Sequence, residues 1–178
     1  MSERLGSFSI PFIPRRSVGI IIITNLLILD FQFMNNLTDY VYADLNKRWK
    51  YFTFSEFINS ATAASYGIDN HLPAELLDNA IFQIDNLDSL RRTFQHPIRI
   101  TSGYRCPELN SAVGGASKSK HLTAQAVDIQ PIHNTKAYRN IIMYILYHSP
   151  EFKFNKIIME PTWLHIEFNK ENKRILVR

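Results

Sequence analysis

Ser119-Lys120-His121-Leu122-Thr123-Ala124-Gln125-Ala126-Val127-Asp128 is the stretch on which the reading of this chain turns. It holds one imidazole and one carboxylate, and Trp163-Leu164-His165 adds a second imidazole further on. Two imidazoles and a carboxylate with an open fourth position make the ligand set of a catalytic zinc. Such a site binds His nitrogen at about 2.0–2.1 Å and carboxylate oxygen at about 2.0–2.2 Å. A closed structural site would recruit thiolates, and the only cysteine is Cys106. The spacing reads as a strand, because Ala124, Ala126 and Asp128 alternate with Gln125 and Val127. Small side chains on the face of Asp128 leave room beside its carboxylate. His121 is expected on the loop opened by Gly114-Gly115-Ala116-Ser117, folding back over the alanines. His165 is expected on a neighbouring strand, Trp163 to Phe168.

The remaining elements follow outward from these strands. Thr53 and Glu56 have the spacing of a capping box, so a helix should start there, with Phe52 and Phe57 at staple spacing and an end at Ser60 to Ala64. Pro73 opens a longer helix whose stripe is Leu76, Leu77, Ala80, Ile81, Ile84, Leu87, Leu90 and Phe94, and His96-Pro97 ends it. Ile98 to Thr101 is a short strand, and Pro107 fits the first turn of a small helix through Val113. Thr135 to His148 is expected as a helix burying Tyr138, Ile141, Ile142, Ile145 and Leu146. Lys156 to Met159 and Trp163 to Phe168 form a hairpin about Glu160-Pro161-Thr162, and Ile175 to Val177 adds an edge strand. The fold class is therefore α+β. N-terminal helices pack on a small, mostly antiparallel sheet that carries the candidate ligands.

Composition narrows the function classes. The chain has 178 residues and a net charge of +4, and no Lys/Arg run exceeds two residues, so no nucleic-acid partner is expected. A lone cysteine excludes an intramolecular disulfide. Residues 1–48 stand apart from the domain expected over 49–178. Arg15-Arg16 precede an apolar run, Val18 to Leu29, that is too short for a spanning helix of about 20 residues. An export signal, an amphiphilic anchor and an extension upstream of a start at Met34 all fit this segment.

The string from Ser119 to Asp128, followed by Trp163-Leu164-His165, resembles the M15 peptidases. That group comprises zinc D-Ala-D-Ala carboxypeptidases and L-alanyl-D-glutamate endopeptidases. The resemblance takes in Ile100-Thr101-Ser102-Gly103-Tyr104-Arg105. It also takes in Lys50-Tyr51-Phe52-Thr53-Phe54-Ser55-Glu56-Phe57, similar to the start of small single-domain members from bacteria and phages, and covers roughly residues 50–178. One departure is Ala124, where the family usually has glycine; if the position needs a positive φ, alanine carries strain. The resemblance implies a Zn²⁺ held by His121, Asp128 and His165, and peptide stems of bacterial peptidoglycan as substrate. It implies a glutamate just upstream of the last histidine, Glu160, as catalytic base. Glu167, on the same strand face as His165, is the rival. Arg105 would face the substrate, clamping a carboxylate or steadying an oxyanion, and Ser119 would hydrogen-bond substrate or ligand. A monomer acting on the cell envelope, from the periplasm or delivered by a phage, is the implied setting. The alternative is a zinc-containing cell-wall-binding module without turnover, since the related Hedgehog signalling domain uses this scaffold for recognition.

Overall fold

Thr53 opens the first helix of the core. Its hydroxyl accepts from the Glu56 N–H while the Glu56 carboxylate accepts from the Thr53 N–H, so the capping box is complete. The computed structural model describes residues 41–177; the segment read as a signal, anchor or extension, with Met34, lies outside them. Helix α1 spans Phe54–Ile58 and buries Phe54 and Phe57. The single helix expected as far as Ser60 to Ala64 is instead two. Asn59 is extended, and the Ser60 hydroxyl caps α2, Ala61–Tyr66, by accepting from the Ala63 N–H. Asn and Ser favour such local side-chain bonds over a continued helix. Gly67 ends α2 in the left-handed region, at φ 64°.

A 3-10 turn, Ala74–Leu76, leads into α3, Leu77–Phe94, which ends at a left-handed Gln95. Its buried stripe is Ala80, Gln83, Ile84, Leu87, Leu90 and Phe94. Gln83 is the polar member, and it is matched. Its amide donates to the Phe168 carbonyl at 2.9 Å and accepts from the Phe168 N–H at 3.2 Å, tying α3 to the sheet. Strand β1 (Ile98–Ser102), helix α4 (Pro107–Ala112) and a 3-10 turn (Lys120–Thr123) follow. Then come β2 (Val127–Pro131), α5 (Lys136–His148), β3 (Phe154–Met159), β4 (Leu164–Phe168) and β5 (Ile175–Val177). In α5, Ile141 is exposed, while Arg139 and Met143 join Ile142 and Leu146 on the buried side.

The sheet order is β1-β2-β4-β3-β5. All pairs are antiparallel except β3 with β5, which is parallel, so the sheet is mixed. One face carries Val127, Ile129, Ile157, Leu164 and Ile166 into the core beneath the helices. The other face carries the chemistry. Asp128 stands directly opposite His165, and His165 opposite Ile158, so strand pairing puts them on one surface.

The compact unit starts at Tyr42, and Tyr42, Leu45 and Trp49 pack against the core. Trp49 Nε1 donates to Asp85 at 2.7 Å, which fastens this segment to α3. Among the described residues no helix is long and apolar enough to cross a membrane.

Candidate metal centre

The strand expected from Ala124 starts only at Val127, because Ala124 has φ 52° and ψ 30°. It closes a 3-10 turn over Lys120–Thr123, so His121 sits on this turn rather than in an open loop. The Ser119 hydroxyl caps it by accepting from the His121 N–H at 3.4 Å. Left-handed geometry costs a non-glycine residue about 1–2 kcal/mol. Ala124 offsets part of this by burying its methyl completely, at about 0.8 kcal/mol per carbon. Alanine is thus tolerated at a position shaped for glycine.

Three side chains from three elements converge on the polar face. His165 Nδ1 lies 2.9 Å from Asp128 Oδ1 and 3.2 Å from His121 Nε2. His121 Nε2 is 3.3 Å from the same carboxylate oxygen. Tetrahedral ligands at 2.0–2.1 Å from a zinc stand about 3.3 Å apart, so these three atoms match one face of such a polyhedron. The outer partners set the protons. His121 Nδ1–H donates to the Gly103 carbonyl at 2.6 Å, and His165 Nε2–H to Glu167 at 3.4 Å. Once the converging nitrogens give up their protons, both lone pairs would face one anionic oxygen, an arrangement that a cation satisfies. His121, Asp128 and His165 form the group of described residues that could hold a metal ion, and their donors suit zinc.

The electrostatics are those of a buried, tightly coupled cluster. Burial pushes the Asp128 carboxyl up, but hydrogen bonds from His121 and His165 outweigh it and hold Asp128 well below the usual carboxylate range. Burial pushes His165 down, yet the Asp128 and Glu167 carboxylates win and raise it to about 9. Asp128 also has a cationic partner. Arg105 Nη2 donates to Asp128 Oδ2 at 2.7 Å, and Arg105 Nε to the Ser102 hydroxyl at 2.7 Å. The two oxygens of Asp128 are thereby divided, one toward the imidazoles and one toward the guanidinium.

Arg105, expected to face substrate, is therefore engaged first in orienting a candidate ligand. It also lines a depression of about 210 Å³ with Ser60, Thr101, Ser102, Asp128 and Trp163, which opens beside the centre. Glu160 stands one residue past the end of β3, and its N–H donates to the Trp163 carbonyl at 3.0 Å. Among the described residues its carboxylate has no hydrogen bond or ion pair, and it borders a separate depression with Lys136 and Arg139. Glu167 meets His165 at Nε2, the ring edge turned away from Asp128 and His121.

Several supporting groups escaped the sequence reading. Gly103 supplies the carbonyl that orients His121, and Ser102 the hydroxyl that steadies Arg105. Asn70, read only as part of a turn, bonds the Ile58 and Tyr104 carbonyls and the Cys106 N–H, pinning the loop that carries Arg105. Backbone carbonyls and distant amides leave no local pattern. The segment Thr101 to Arg105 was marked only by its resemblance.

The α+β domain thus brings Asp128 and His165 of the sheet together with His121 of the adjoining turn into one cluster that could hold a metal ion. The sequence model of the family described as Peptidase M15 matches residues 50–167, about two thirds of the chain, and the chain belongs to that family. The family is one of zinc-dependent metallopeptidases. No curated protein matches the chain.

Proposed function

We propose that this protein is a zinc peptidase of the bacterial cell envelope that hydrolyses an amide bond in the peptide stems of peptidoglycan. The observation that carries the reading is the convergence of His121 Nε2, His165 Nδ1 and Asp128 Oδ1 within 3.3 Å of one another. Zinc bound there polarises a scissile carbonyl and lowers the pKa of water toward about 7. The chain's own groups do the rest. Gly103 and Glu167 hold the two imidazoles in the tautomers that free the converging nitrogens. Arg105 pairs with Asp128 Oδ2 and so leaves Oδ1 turned toward them, and its other N–H donors remain for a substrate oxygen.

Glu160 is the base in this reading: it takes a proton from the attacking water and passes it to the leaving amine. Its uncommitted carboxylate, just past the strand end that pairs with β4, supports this assignment. Glu167 is occupied on the far edge of His165, which suits an orienting group better than a base. Ser119 contributes by capping the turn that carries His121.

The test is hydrolysis of purified stem peptides, read by mass, with chelator and with zinc restored. Wild-type cleavage should vanish with chelator and return with zinc. Glu160→Gln should lower kcat by roughly 10²–10⁴-fold with one zinc still bound, whereas Glu167→Gln should chiefly weaken zinc binding, by about 10–100-fold. A zinc-loaded wild type that binds stems without cleaving them would transfer the assignment to the binding module. A full kcat loss in Glu167→Gln alone would make Glu167 the base.

A further inference from the structure

A second depression, of about 310 Å³, opens on the other side of His165, with Lys120, Lys156, Lys173, Glu167 and Glu171 in its walls. The three lysines come from three parts of the chain. Lys120 is on the turn that carries His121, Lys156 is on β3 opposite Glu167, and Lys173 lies between β4 and β5. Their charges are unequally matched. Lys173 sits 3.0 Å from Glu171, but Lys156 reaches Glu167 only at 3.7 Å, and that carboxylate is shared with His165. Lys120 has no carboxylate within ion-pair distance among the described residues; its ammonium meets only the neutral Gln125 amide, at 3.4 Å. Lys120 thus lacks a close carboxylate, and Lys156 shares its one carboxylate with His165, one strand step from the centre. Arg105, the other cation beside the centre, is already bound to Asp128.

We propose that this lysine-lined depression binds a carboxylate of the substrate, borne one or two residues from the scissile bond. The distance follows from the sheet. Glu167 is two residues beyond His165 on β4, which is about 6.5–7 Å along a strand, and an extended peptide covers that span in about two residues. A lysine ammonium is a point charge on a flexible stem, suited to a carboxylate whose exact orientation varies. The proposal rests on the peptidase reading for the location of the scissile bond. Two sources share this chemistry: an acidic side chain within a longer peptide, as an endopeptidase would meet, and the C-terminal carboxylate that a carboxypeptidase would meet.

The experiment uses three synthetic stem tetrapeptides. One has an acidic residue and an amidated C-terminus, one a neutral residue and a free C-terminus, and one is neutral and amidated. Binding to the full-length, zinc-loaded Glu160→Gln variant is measured by calorimetry, so the subsite is read without turnover. One of the first two should bind at least tenfold tighter than the third, and which one does so identifies the source. Lys120→Met in the same background should remove most of that preference, and so should Lys156→Met. Equal binding of all three, no binding of any, or a preference that survives both substitutions overturns the subsite. Hydrolysis by the wild type is scored separately: charge-selective binding without cleavage leaves the subsite standing and overturns only the peptidase reading.

Discussion

At the scale of single residues, the centre is governed by who holds the protons. His165 titrates at about 9 in the metal-free fold, above its ordinary value near 6.5, because Asp128 and Glu167 flank it. A raised histidine stabilises the fold fully below about pH 6.5, and that contribution is lost as pH rises through 9. Asp128, held low, contributes above its ordinary value near 3.9, and that contribution is lost as pH falls. The metal-free protein should therefore gain most from this pair between about pH 4 and 6.5. Zinc must displace the His165 proton, so apparent zinc affinity should rise about tenfold per unit between pH 7 and 8.5, with about one proton released. Calorimetry in buffers of different ionisation enthalpy reads both quantities. An affinity that stays flat over that range would contradict the assignment of the proton to His165.

At the scale of elements, the centre depends on how closely β1 and α1 approach. A Cβ on Gly103 would lie 2.1 Å from the Phe57 carbonyl oxygen and 2.7 Å from its ring, and backbone cannot yield as a side chain can. The Tyr104 N–H donates to the same Phe57 carbonyl at 2.9 Å, which fixes the approach. Gly103→Ala should therefore destabilise the fold by about 1–3 kcal/mol, the usual range for forced overpacking. It should also weaken zinc binding by about 10–100-fold, because the displaced carbonyl is the one that orients His121. Denaturant titration and zinc competition measure the two effects; an unchanged zinc affinity would remove Gly103 from the centre. The β3–β4 turn is fastened from the opposite side. Arg139 donates to the Pro161 carbonyl at 2.9 Å and Asn134 to the Thr162 carbonyl at 2.6 Å. The start of α5 thereby holds the turn that begins at Glu160.

At the scale of the whole molecule, zinc should act as a staple. Its candidate ligands come from the turn over Lys120–Thr123, from β2 and from β4. Ligand at about 1,000 times its dissociation constant stabilises a fold by about 4 kcal/mol. For a domain of this size that is roughly 10–20 °C in Tm. Scanning calorimetry before and after chelation should show this drop, with recovery on adding zinc but not magnesium, whose hard octahedral preference this site does not meet. A Tm indifferent to zinc would mean that the three groups are not joined by a metal.

Much of this was written locally. The capping box at Thr53, the apolar stripe from Ala80 to Phe94 and the cap of α5 at Thr135 arise from neighbours within one or two turns, so sequence alone determined them. His121, Asp128 and His165 were marked as candidate ligands by the whole string and its resemblance, and folding brings the three together. Other features depend on residues brought together only by folding. Arg105 meets Asp128 across 23 positions, Gln83 meets Phe168 across 85, and Asn70 reaches forward to pin the Arg105 loop. The positive φ of Ala124, which cuts short the expected strand, is imposed by the turn that must bring His121 over the sheet. The surroundings of Glu160 and Glu167 likewise come from tertiary structure. Glu167 lies on β4 and Glu160 just past β3, and the direction of the His165 ring shows that Glu167 is the one it meets. Local pattern sets which groups are available, while packing sets the directions of their lone pairs and protons, and the chemistry depends on those directions.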